Sequence, residues 1–183
     1  MTSKLRNIRE RERPTMTQTL SRERTDLLDS LANQWHNLLI TMRGLTDEQA
    51  ATRSTVSELT LGGILNHLIN CERGWTRLML EGGDWPEGML DPDQYRMPEG
   101  ATLDGLLAEY AEVNRATADA VTTVDLDKEI ALPRAPWSPP ETIYWSARRI
   151  IQHILKEIAQ HSGHADIIRE YLDGANTTMQ MGA

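Results

Sequence analysis

A chain of 183 residues, 39% hydrophobic and 25% charged, has the length of one domain and enough apolar material for a core. Its net charge of -8 and pI of about 5.1 exclude a phosphate-backbone binder, so no nucleic-acid partner is expected. The single cysteine, Cys71, leaves no internal disulfide, and no apolar run reaches the roughly 18 residues of a membrane span, so a cytoplasmic protein without a membrane partner is expected.

The opening "MTSKLRNIRERERPT" is basic and poor in apolar residues, and Met16 follows it. Residues 1–20 read as a flexible arm, or as a start placed one methionine early. From about Arg22 to Arg43, Leu27, Leu28, Leu31, Trp35, Leu38, Leu39 and Met42 recur at the helical period and predict a first long helix. Thr46 and Gln49 form a capping-box pattern that predicts a short helix. Thr60 is an N-cap for a second long helix with Ile64, Leu68, Cys71, Trp75 and Leu78 on its apolar face, stopped by Gly82 and Gly83. Between Glu81 and Gly100, three Pro and four Gly predict a long irregular connection.

Thr102 caps a third helix whose inner side is expected to carry Leu103, Leu106, Leu107, Tyr110, Val113, Ala116 and Val121. The prolines at 133, 136, 139 and 140 break the following stretch, where Glu129 to Leu132 suits a short extended segment. A last helix is expected from about Thr142 to Asp173, stopped by Gly174. Four long helices with apolar stripes predict an all-α four-helix bundle over residues 21–176, with long irregular connections and a C-terminal tail at 177–183.

The chemistry-bearing residues sit in "KEIAQHSGH" and "ILNHLIN". Glu157 and His161, four apart, share one helix face, where carboxylate and imidazole can converge on an ion. His67 lies at the margin of the second helix's buried face and completes a His, Glu, His set if the two helices pack together. The competing account makes Glu157 and His161 a surface pair and His67 a hydrogen-bonded core residue. The donor types suit zinc first, with a fourth position open, and are also acceptable to nickel or non-haem iron. Of the rest, His164 reads as a partner orienting a ligand or moving a proton, a substitute ligand or a solvated residue, His153 as structural, His36 as exposed and Cys71 as a buried inert thiol ahead of a nucleophile.

"TLGGILNHLINCERGW" followed some 85 residues later by "IIQHILKEIAQHSGHADIIREYLDG" resembles the DinB-like metalloprotein superfamily from about Thr25 to Ala175. It is nearest the branch holding the N-terminal domain of mycothiol-dependent maleylpyruvate isomerase and the mini-circle proteins. The resemblance implies a four-helix bundle with a divalent metal on His67, Glu157 and His161, and places His164 beside the metal. It further implies thiol-dependent transferase or isomerase chemistry with a low-molecular-weight thiol and a small-molecule substrate, and often a homodimer. A non-catalytic small-molecule-binding or stress-response bundle, its metal structural or vestigial, is the alternative expectation.

Overall fold

The computed structural model describes residues 20–181. The expected N-terminal arm lies outside the described residues except for Leu20. The chain is all-α in character: α1 (Arg22–Thr41), α2 (Asp47–Ala51), α3 (Leu61–Glu81), α4 (Leu103–Thr123), α5 (Ala147–Asp173) and α6 (Thr177–Gln180), with a 3₁₀ turn at Pro92–Tyr95 and two short strands. Side-chain oxygens of Ser21, Thr46, Thr60, Thr102 and Ser146 accept the first free N–H groups of their helices, which fixes where α1 to α5 begin. The capping box at Thr46 and Gln49 is complete.

The long helices touch in a closed order: α1 packs on α5 and α4, and α3 packs on α4 and α5. Helix α3 is buried on nearly every side, with Ile64, Leu65, Leu68, Leu78 and Met79 fully enclosed. The inner stripes depart in detail from the expected ones. On α1, Ile40 is buried and Leu39 is 37% exposed. On α4, Thr117 points inward and Ala116 outward, because Thr117 bonds Thr76 of α3 across the interface at 3.0 Å.

None of the three long helices α1, α3 and α4 carries a basic residue in its last turn. Cations from elsewhere satisfy their free carbonyls instead. Arg169 donates to Thr41 and Arg43 beyond α1, Lys128 to Met79 and Leu80 of α3, and Arg24 to Val121 and Val124 at the end of α4.

The extended segment expected near Glu129 is strand β1 (Glu129–Ala131), paired antiparallel with β2 (Tyr144–Ser146), Ile130 opposite Trp145. This hairpin corrects the start of the last helix. Tyr144 to Ser146 are held in extended backbone by pairing to a strand some 15 residues earlier, and α5 begins only after its cap, Ser146. The segment expected as a tail carries α6, tied to α5 where Thr177 donates from backbone and hydroxyl to Asp166 at 2.6 and 2.8 Å.

The connection from 81 to 100 is packed against α3. A Cβ on Gly63 would collide with the Tyr95 carbonyl, and one on Gly62 would come within 2.5 Å of the Met97 sulfur. The two glycines therefore let the 3₁₀ turn lie directly on the start of α3, one turn from His67.

Candidate metal centre

Packing of α3 against α5 brings His67 to the pair, Glu157 and His161, that spacing had picked out. His67 Nε2 lies 3.9 Å and His161 Nε2 3.8 Å from the same oxygen, Glu157 Oε2. The other oxygen, Oε1, is shared by Lys156 Nζ at 3.1 Å and His153 Nε2 at 3.6 Å. The carboxylate thus divides its oxygens, one toward a cation of the chain and one toward two imidazoles. His67 and His161 are 5% and 6% exposed, and their rings meet edge to face at 4.6 Å.

The orientation of His67 is set by the 3₁₀ turn. Gln94 donates from Nε2 to the Met89 carbonyl at 2.9 Å, which turns its Oε1 toward His67 Nδ1 at 3.0 Å. Nδ1 therefore carries the proton, and Nε2 presents a lone pair to Glu157. Tyr95 stacks on the same ring at 4.2 Å. His67 Nε2 is buried and, among the described residues, has no hydrogen-bond partner.

A lone pair facing a carboxylate oxygen in a buried place is repulsive unless a cation lies between them. Separations of 3.8 and 3.9 Å exceed hydrogen-bond range, yet are short enough for the donors to share one cation. The donors are also in the protonation states a cation requires. Glu157, with the Lys156 ammonium 3.1 Å from its Oε1, is an ionised carboxylate at pH 7. Burial, reinforced by the neighbouring His67 and His164, pushes His161 down to about 4, so its imidazole is neutral at pH 7. The residues present fit a divalent cation.

His164 stands beside this group. Its Nδ1 is 3.4 Å from Nδ1 of His161, on the far side of that ring from Glu157. His36 is exposed. His153, read as structural, meets both Trp75 and Trp145 edge to face with ring centroids at 4.6 and 5.2 Å, and faces Glu157. The sequence signal for it was the 153, 157, 161 repeat along one face of α5. Cys71 is 5% exposed, and its sulfur, a His67 nitrogen and a Glu157 oxygen lie within 4.8 Å of one another. Gln94 and Tyr95 come from the irregular connection and had no pattern to announce them.

One wall of a cavity of about 740 Å³ is formed by His67, Cys71, His153 and Glu157. The other walls are largely aromatic and apolar, with Trp75, Trp85, Trp137 and Trp145 around it. Trp75 and Trp145 stack with 7° between their planes, and Arg149 sits over Trp145 at 4.4 Å.

The mycothiol-S-transferase family profile matches residues 26–174. The chain belongs to this family. Membership places this mycothiol-S-transferase family chain within the DinB-like superfamily, in agreement with the resemblance carried by its two histidine-bearing motifs. A search of curated proteins finds no match. Among the described residues, no helix of the family member is long and apolar enough to cross a membrane.

Proposed function

We propose that the protein is a divalent-metal-dependent S-transferase, built on a DinB-like four-helix bundle over residues 21–176, that joins a low-molecular-weight thiol of the mycothiol kind to an apolar electrophile. The observation that carries the reading is the buried His67 Nε2, fixed by Gln94 with its lone pair toward Glu157 and given no hydrogen-bond partner. His67, Glu157 and His161 would hold the ion. A divalent cation there supplies a thiolate at neutral pH by lowering the pKa of a bound thiol.

The chain's own groups do the rest. His153, whose pKa burial lowers, is neutral, lines the cavity and is placed to take the thiol proton. The new S–C bond forms as the electrophile's leaving bond breaks, and the proton departs with the leaving group. The tryptophan walls exclude water and accept an apolar electrophile. His164 positions His161 by accepting from its Nδ1, which leaves Nε2 free to ligate.

Metal content of the purified protein beside His161→Ala tests the centre, and equal occupancy in both removes it. Formation of a thioether from mycothiol and a chromogenic apolar electrophile tests the reaction. Turnover that survives complete metal removal would refute the metal-dependent mechanism.

A further inference from the structure

His67 and Cys71 are one turn apart on α3, and Glu157 reaches them from α5 to close a triangle whose donor atoms lie within 4.8 Å of one another. The unpartnered His67 Nε2 is buried in the same cluster. Without a cation the thiol is inert, since burial first, and then the charges of Glu157 and Glu72, push its pKa up. An inert packing thiol gains nothing from a carboxylate and a bare imidazole nitrogen beside it.

Charge balance gives the arrangement a purpose. Two neutral imidazoles and one carboxylate leave a divalent cation with one net positive charge beside an apolar wall. A thiolate from Cys71 brings that sum to zero, the state least costly to bury. We infer that Cys71 is a built-in thiolate ligand of the centre, occupying the cavity side until an incoming small thiol displaces it. The inference rests on the metal reading above. Both thiols bring the same charge, and Cys71 lines the cavity through which the other must approach, so they compete for one position. Loading exchanges the S–H bond for a sulfur–metal bond and sends that proton to solvent.

Cobalt(II) loading of the full chain, with no thiol present, reads this out without activity. The expected result is a thiolate-to-cobalt charge-transfer band in the wild type and its loss in Cys71→Ala, which still binds cobalt through the other three residues. Cys71→Ser repeats the comparison should the alanine variant not fold. Cobalt bound without the band in the wild type, or the band undiminished in the variants, overturns the inference. Adding mycothiol to the cobalt-loaded Cys71→Ala protein separates the two readings. A new band there upholds the transferase reading whatever Cys71 does, and silence removes the substrate thiol while leaving the Cys71 result standing. A wild type that takes up no cobalt overturns both.

Discussion

Gln94 Oε1 accepts from His67 Nδ1 at 3.0 Å, and this one contact decides which nitrogen of the ring faces Glu157. The Gln94 amide cannot flip without losing its own bond to the Met89 carbonyl. Gln94→Leu should therefore weaken divalent-metal affinity about 10- to 100-fold by freeing the ring, the usual effect of removing such a partner. Gln94→Glu, which still accepts from Nδ1, should retain affinity. Competition with a chromophoric chelator measures both, and an unchanged affinity in the leucine variant would show that Tyr95 stacking alone orients the ring.

Gly63 has a part in the same geometry from a distance. A methyl group there meets the Tyr95 carbonyl, so Gly63→Ala must push the 3₁₀ turn off α3 and carry Gln94 away from His67. The expected outcome is a combined loss, about 1–3 kcal/mol of stability from overpacking and a fall in metal affinity like that of Gln94→Leu. A variant that loses stability but keeps full affinity would uncouple the turn from the centre.

A fully buried carboxyl, Glu72, lies in α3, 1% exposed, accepting from Trp35 Nε1 at 3.1 Å while its other oxygen has no partner among the described residues. Burial raises its pKa from 4.5 to about 7, against the lowering influence of the nearby Thr117 hydroxyl and the bond from Trp35. A carboxyl raised on folding binds more protons in the folded than in the unfolded chain across this window. Its contribution is therefore complete below pH 4.5 and declines as pH rises through 7. Glu72→Gln removes the titration, and should gain on the order of 3 kcal/mol over the wild type at pH 8 relative to its standing at pH 4. Urea midpoints at the two pH values decide it, and an equal difference at both would mean that Glu72 does not titrate in this range.

Periodicity is a local signal, and it carried what is local in this protein. The caps at Thr60 and Thr102, the stop at Gly174 and the spacing of Glu157 and His161 are properties of single helices, so they could be read residue by residue. Joining His67 to that pair required α3 to pack on α5, which apolar stripes imply but do not register. Gln94, Tyr95 and the cavity wall come from connections without a period, held in place by contacts such as Tyr95 on Gly63. The late start of α5 has the same cause. Tyr144 to Ser146 are committed to β1, and a strand pairing across some 15 residues displaces the helix start expected near Thr142. Cys71 is the plainest case: helix periodicity placed it on a buried face, correctly, but only the packed structure sets Glu157 beside it.

Arg169 gives the fold a test separate from the chemistry. It is 6% exposed, donates from one terminal nitrogen to the Thr41 and Arg43 carbonyls at 2.8 Å each, and from Nε to Asp173 at 2.9 Å. Helix α1 has no basic residue in its last turn; the Leu38, Leu39 and Ile40 carbonyls accept from the turn that follows, and the guanidinium satisfies the remaining one, that of Thr41. Arg169→Met keeps much of the volume but strands two carbonyls and a carboxylate, which should cost about 3 kcal/mol of unfolding free energy. Arg169→Lys should recover only part of that, because a point charge cannot serve three acceptors in the fixed directions of the fork. The residue lies two turns beyond His161, about 12 Å along α5, so metal affinity should stay at its wild-type value. Denaturation and chelator competition on the same preparations measure the two effects, and a loss of affinity with stability intact would place Arg169 in the centre instead.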